Sequence, residues 1–150
     1  MSIQPLLDKI PFAHKAGVQC ESYSPGRVVL SLALTDSNKN HAGTMHAAGL
    51  FTVAETAGAA ACSTHPRLAG LHLLARGMSI RFRRPANGGV QAHAEITNEM
   101  ATSVEEGVAR KGRADLDVPV VIYDGQGTVV AEMLATYHFR TPKLGPSSIG

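Results

Sequence analysis

The 150-residue chain contains no tryptophan, and aromatic residues make up only 5% of it. Nucleic-acid-binding domains stack bases on aromatic side chains and carry a pronounced positive charge. The net charge here is only +2, so the composition argues against a nucleic-acid partner. Charged residues are also scarce, at 17%. Because so few residues are charged, we expect part of the protein surface to be buried against other copies of the chain.

Cysteine is nearly absent as well. Cys20 and Cys62 match no metal-ligand spacing and are too few for a disulfide framework, so we interpret them as reduced core thiols. His41 and His46 are five residues apart, not the four of a helical metal pair. The opening residues lack the pattern of a signal peptide, and the apolar run from Ala47 to Cys62 is too short to span a bilayer. We therefore expect a cytoplasmic protein without a membrane segment, a metal site or a cofactor.

Hydrophobic periodicity predicts one domain over residues 1–150, with a mobile tail from about residue 141. A short amphipathic helix over 4–17 comes first, followed by two strands around Ser24-Pro25-Gly26. A long helix runs from about 46 to 63 and ends at His65-Pro66. Strands follow within 71–85 and 88–98, then a short surface helix or irregular link over 103–114. Two further strands flank Asp124-Gly125.

This order of elements indicates an α+β fold with about six antiparallel strands around one long helix. The helix is apolar on every side, so it needs cover on every side. A single curved sheet covers only about half of it. We therefore expect a second copy of the chain to cover the rest.

Glu55 is the only formally charged residue between Asn40 and Pro66. One interpretation is a core ion pair with an arginine such as Arg76 or Arg81, because charges are rarely buried alone. The other is a catalytic carboxylate. Desolvation raises the pKa of a carboxyl group toward the working range of a general base.

The start of the long helix favours catalysis. The N–H groups of the first turn have no acceptors within the helix. They can therefore donate hydrogen bonds to a ligand oxygen that becomes negatively charged. Ala47, Ala48 and Gly49 are small enough for a ligand to approach that backbone closely. Ala47 lies eight residues before Glu55, or ~12 Å along the axis. If both act on one carbonyl group, one of them must come from a neighbouring subunit.

Asn40, Gly43, His46 and the segment "AAGLFTVAE" resemble the active-site segment of hot-dog-fold acyl-CoA thioesterases. The phenylacetate-pathway and 4-hydroxybenzoyl-CoA branches share the pattern. It has Asn or Gln, then His-Gly-Gly six residues later, then Asp or Glu nine residues after the histidine. Asn40, His46 and Glu55 keep both spacings, and "SIRFRRPANGG" resembles a further family strand. The resemblance covers roughly residues 15 to 140.

The resemblance implies a curved sheet wrapped round the helix, homodimers or homotetramers, and hydrolysis of an acyl-CoA thioester. Glu55 would activate water or attack the carbonyl carbon itself. The Ala47 N–H, at the His46 helix start, would polarise the thioester oxygen, and Asn40 would hold the water or the acyl group. Ala48 and Ala59 would border the substrate. The basic strip that contains Arg81, Arg83 and Arg84 has two interpretations: a solvated sheet edge, or one or two arginines that hold the coenzyme A phosphates, as Lys111 and Arg113 of another subunit also can.

Two departures from the family pattern leave other functions open. Ala47-Ala48 replaces Gly-Gly, and Ala59 replaces the threonine that the hydroxybenzoyl branch has one turn after its glutamate. A non-catalytic binder of acyl-CoA or fatty acyl groups is therefore the main alternative. A hydratase is a weaker one, since its Asp-to-His spacing occurs only at Asp36 and His41.

Overall fold

The computed structural model describes residues 2–143, in which the chain forms one sheet, one central helix and three shorter helices. The helices are α1 (Gln4–Leu7), α2 (Pro11–Ala16), α3 (Ala47–Thr64) and α4 (Asn98–Lys111). The strands are β1 (Gln19–Ser24), β2 (Arg27–Leu32), β3 (His72–Phe82), β4 (Val90–Glu95), β5 (Arg113–Asp124) and β6 (Val129–Arg140). A short 3₁₀ helix, Asp36–Asn38, precedes the loop that enters α3.

All six strands join one sheet in the order β1-β2-β4-β5-β6-β3, and every neighbouring pair is antiparallel. Alternate side chains on the strands that pack against α3 point toward it, which gives the period of two seen in the sequence. On β5, for example, Val118, Val120 and Ile122 are completely buried. The curved antiparallel sheet around one long helix confirms the predicted α+β hot-dog architecture.

Helix α3 fills the concave side of this sheet with small side chains. Its buried residues are Leu50, Val53, Ala54, Thr56, Ala57, Gly58, Ala60, Ala61 and Cys62. One stripe of the helix stays partly open to solvent, and it consists of Ala48, Phe51, Thr52, Glu55, Ala59 and Ser63. These positions repeat at helical spacing, so they form one face. Half of the 18 residues of α3 are therefore buried, and the stripe is the main part left uncovered in a single chain.

The N-terminal segment differs from the single helix predicted over 4–17. The structure divides it into α1 and α2, with Pro11 at the start of α2. Proline has no N–H to donate to the preceding turn, so a continuous helix cannot pass through this position. Gly17 follows α2 with a φ of 88°, which confirms the predicted glycine stop.

Helix α4 replaces the predicted short helix or irregular link and begins earlier than expected. The Thr97 hydroxyl accepts a hydrogen bond from the Met100 N–H and caps its start. Ala101 and Val104 are buried against β5, and Gly112 ends the helix with a φ of 74°. The predicted tail mobility concerns mainly residues 144–150, which lie outside the described residues. Within residues 2–143, no helix has the length and apolarity needed to cross a bilayer.

Candidate active site

Glu55 lies half-buried near the middle of the open stripe on α3. Among residues 2–143, its carboxylate takes part in no hydrogen bond or ion pair. Burial raises the pKa of this carboxyl group above its ordinary value. An unpaired, partly desolvated carboxylate of this kind is able to accept a proton or attack a carbonyl carbon.

The arginines considered as core partners of Glu55 are engaged elsewhere or face away from it. Arg76 contacts Asp115 at 3.1 Å on the outer face of the sheet. Arg81 lies opposite Glu132 in the β3–β6 register. The interpretation of Glu55 as half of a core ion pair with either arginine is therefore wrong for this chain.

The free backbone donor predicted at the start of α3 is Ala47 N–H. Gly49 N–H and Leu50 N–H both donate to the His46 carbonyl, and Ala48 N–H donates to the His46 side chain. In the described part of the chain, the Ala47 N–H has no acceptor. Ala47 is solvent-exposed, so this N–H can donate a hydrogen bond to an oxygen atom of a ligand.

His46 caps α3 with its imidazole. Its Nδ1 accepts the Ala48 N–H at 2.9 Å, and its backbone sits at φ −61°, ψ 143°, outside the helical region. Histidine is not among the preferred capping residues, and the spacing in the sequence alone did not reveal this role. The ring therefore holds the first turn and leaves Nε2 free.

Asn40 organises the loop that leads into α3. Its Oδ1 accepts hydrogen bonds from Ala42 N–H at 2.9 Å and Thr44 N–H at 3.1 Å. Its Nδ2 donates to the Thr44 hydroxyl at 2.8 Å. Both acceptor positions of the amide are therefore occupied, and what remains for a ligand is one N–H of the amide nitrogen.

A cleft of about 410 Å³ brings together Asn40, Ala47, Arg83 and Arg84. We call it the arginine cleft. Its other walls are Ala42, Thr44, Met45, Leu50, Phe82, Pro85 and Ala86. The Met45 N–H donates to the Ala86 carbonyl at 2.9 Å, which fixes the loop before α3 against the segment after β3. Arg83 is held by Glu132 at 2.8 Å, whereas Arg84 forms no ion pair within residues 2–143.

His46 and Ala48 line a different cleft, also of about 410 Å³, between α2 and the first turn of α3. We call it the α2 cleft, and it includes Phe12, Lys15, Leu32, Gly49 and Thr52. The structure therefore separates the predicted site residues into two groups around the helix start. Glu55 and Ala59 lie in neither cleft and belong to the open stripe, and the predicted Arg81 also lies outside both clefts, so one chain does not assemble the whole constellation.

Tyr137 is a residue of this region that sequence reasoning missed. Its hydroxyl donates to the Glu55 backbone carbonyl at 2.8 Å, and only 1% of the residue is exposed. Burial, followed by the charge of Glu55, raises the pKa of the Tyr137 hydroxyl, which stays a donor. The two residues are 82 positions apart in sequence, and a tyrosine within a strand carries no local signal of such a contact.

Comparison with known proteins agrees with this architecture. A family model described as "Domain of unknown function (DUF4442)" matches residues 4–138. No curated protein sequence matches the chain. The structure of a Pseudomonas aeruginosa protein of unknown function, described as a probable thioesterase, is 34% identical, with a TM-score of 0.84 and 93% of each chain covered.

Two more distant structures share the fold. The Escherichia coli PaaI protein, from the phenylacetic acid degradation operon, is 23% identical with a TM-score of 0.72, over 92% of this chain and 89% of that one. A mutant of a Staphylococcus aureus thioesterase is 18% identical with a TM-score of 0.70, over 87% of this chain and 98% of that one. The chain therefore belongs to the DUF4442 family, within the hot-dog-fold superfamily that includes thioesterases.

Proposed function

We propose that the protein is an acyl-CoA thioesterase whose general base or nucleophile is Glu55. The observation that carries the proposal is the unpaired Glu55 carboxylate, whose pKa is raised by burial. It lies on the same helix as the free N–H of Ala47. In the reaction, the acyl-CoA and water give a carboxylic acid and the free thiol of coenzyme A.

Each group has a separate task at the thioester. The Ala47 N–H donates to the carbonyl oxygen as it gains negative charge. Glu55 takes a proton from water that attacks the carbonyl carbon, or attacks that carbon itself to form an anhydride that water then opens. Asn40 has one amide N–H left to hold the acyl group, and the thiolate of coenzyme A departs.

The active unit in this proposal is a homodimer, with homotetramers as pairs of dimers. Ala47 and Glu55 are ~12 Å apart along α3, too far to act on one carbonyl group within one chain. Strand β3 is one edge of the sheet and exposes Leu74 and Phe82, and Phe51 is exposed on α3. An unpaired edge with exposed apolar side chains is a surface for pairing with another strand. Such pairing brings Glu55 of one subunit toward the arginine cleft of the other.

Arg84 is the cation of the arginine cleft best placed for a phosphate group, because Arg83 is held by Glu132. Arg81, which precedes Phe82 on β3, is also exposed.

The scarcity of cysteine supports a cytoplasmic location for this activity.

A non-catalytic binder of acyl-CoA or fatty acyl groups is the second candidate. The observation that favours it is Ala59, which lies one turn after Glu55 on the open stripe and has no group that can orient water. The oxygen of Asn40 is also fully used by its own loop.

The test is thiol release from short, long and aromatic acyl-CoAs by wild type, Glu55→Gln and Ala47→Pro. Proline is well tolerated at the first helical position, where its ring carbon takes the place of the N–H hydrogen under test. We expect losses of roughly 10²-fold or more for Glu55→Gln and roughly 10²-fold for Ala47→Pro. Turnover that survives Glu55→Gln rejects the site. Absence of turnover in wild type, with acyl-CoA still raising the melting temperature, supports the binder.

A further inference from the structure

Three basic side chains line up across three strands at one end of the sheet. Arg113 of β5 is the register partner of Arg140 of β6, and Arg140 is also the partner of His72 of β3. The Arg140 Nε–H donates to His72 Nδ1 at 3.4 Å. We call these three residues the basic row. The adjacent Phe139 is buried against α3, so alternation along the strand turns the row toward the outer face.

The charge of the basic row is not neutralised by its neighbours. Asp115, in the next row, is already bound by Arg76 at 3.1 Å and by His138 Nδ1 at 2.7 Å. Within residues 2–143, neither Arg113 nor Arg140 forms an ion pair. Like charges placed directly opposite each other on adjacent strands destabilise a sheet. The row is therefore costly to the free protein, and an anion placed over it would relieve the repulsion.

We propose that the basic row binds phosphate groups, and that it takes the nucleotide phosphates of the acyl-CoA. The second part rests on the proposed function. Adjacent strands hold the backbones of Arg113 and Arg140 roughly 5 Å apart on a rigid support, so both guanidinium groups can reach one phosphate group. Each guanidinium presents paired N–H donors that match the oxygens of a phosphate.

The position of the row agrees with a substrate that reaches across the dimer. Strand β3 places His72 and Phe82 at opposite ends, ~33 Å apart. A pantetheine arm does not cover that distance, so the row cannot serve the arginine cleft of its own chain. In a dimer formed by antiparallel β3 strands, the end of the sheet that carries the row of one subunit lies next to the arginine cleft of the other. The row is on the outer face and the cleft is on the α3 side, so the substrate would pass round the end of the sheet.

The same end of the sheet, on its α3 side, also carries the proposed catalytic carboxylate. Tyr137, whose hydroxyl contacts the Glu55 backbone, lies three residues before Arg140, ~10 Å along β6. One subunit would thus supply both Glu55 and the basic row. The other would supply the Ala47 N–H and Arg84.

Binding of coenzyme A, dephospho-coenzyme A, pantetheine and inorganic phosphate, measured by calorimetry, tests the proposal without needing turnover. The variants are Arg113→Gln, Arg140→Gln and the double variant. Lys9→Gln, beside the opposite edge of the sheet, makes an equal charge change as control. We expect affinity for coenzyme A to fall roughly tenfold for each arginine removed. Pantetheine should bind all variants equally, and without ligand the double variant should melt no lower than wild type.

The outcomes separate the two parts of the proposal. Unchanged affinity for coenzyme A in the double variant, or an equal loss with Lys9→Gln, overturns the site. If phosphate binds wild type through Arg113 and Arg140 but coenzyme A binds no better than phosphate, the row is a phosphate site and its assignment to the substrate is wrong. If wild type binds coenzyme A through the row yet hydrolyses no thioester, the site stands and the catalytic proposal fails.

Discussion

The Tyr137 hydroxyl donates a hydrogen bond to the Glu55 backbone carbonyl, 2.8 Å away in the middle of helix α3. Gly58 makes this approach possible. A Cβ atom at position 58 would lie 2.6 Å from the Tyr137 hydroxyl, closer than any carbon can sit without displacement. Glycine lowers helix stability at such a position, so its presence here is explained by the tyrosine that contacts the helix.

Substitutions at Gly58 and Tyr137 should be strongly non-additive. Gly58→Ala is expected to lower the free energy of unfolding, because the added methyl group pushes against the buried hydroxyl. Tyr137→Phe should cost about 1 kcal/mol through the lost hydrogen bond. In the double variant the main clash is gone, so the alanine should cost much less than it does beside Tyr137. Urea unfolding of the four proteins measures the coupling, and additive effects would contradict the contact.

Glu55→Gln should stabilise the protein at neutral pH. The folded pKa of Glu55 is raised, so its contribution to stability is present below the unfolded pKa and is lost as pH rises through the folded pKa. Glutamine carries no charge at any pH and avoids this loss. Melting temperatures of wild type and variant should therefore coincide in acid and diverge toward neutral pH. Glu106→Gln, on the exposed side of α4, serves as control, and a parallel pH profile for all three proteins would be the contrary result.

His46→Ala should lower the free energy of unfolding by about 1 kcal/mol, because Ala48 N–H loses its acceptor. His46→Asn should retain most of the stability, since asparagine is a preferred cap. Chemical denaturation measures both. Equal stability for alanine and histidine at this position would mean that the imidazole does not hold the start of α3.

Mixed dimers provide the sharpest check on the shared site. Glu55→Gln and Ala47→Pro should each be inactive alone. After denaturation and refolding together, each mixed dimer would contain one site with an intact Glu55 and an intact Ala47 N–H. Activity should then recover to about a quarter of the wild-type value, given random pairing of subunits. No recovery, with mixed dimers present, would place both groups in one chain.

Much of the fold follows from local patterns in the sequence. The Ala- and Gly-rich run predicts α3 over 46–63, and the structure has Ala47–Thr64. Alternating apolar residues together with turn residues predict six strands, and the structure has six, since burial on one face imposes a period of two. The break at Pro11 was missed because an apolar spacing compatible with one helix continues across it. Helix α4 was underestimated because only Ala101 and Val104 are buried among mostly polar neighbours.

The site was less predictable than the fold. Spacing alone placed Glu55 and the Ala47 N–H on α3, because both depend on one helix. The roles of Asn40 and His46 depend on loop geometry, in which each side chain bonds to nearby backbone groups. The contact with Tyr137 and the pairing of Arg76 with Asp115 join distant strands. Such contacts arise only from the sheet order, which periodicity does not specify.

The register of β3 and β6 links the edge strand to the helix, so association with a second subunit would change the environment of Glu55. Ala75 of the open edge strand is the partner of Tyr137, and the register shift at Arg76 follows immediately. The edge on which a second subunit would dock is thus one strand away from the anchor of Glu55. A second subunit that restricts the motion of that edge would also restrict, through the Tyr137 phenol, the helical turn that contains Glu55. Slower amide hydrogen exchange around Glu55 would then indicate that the dimer has formed.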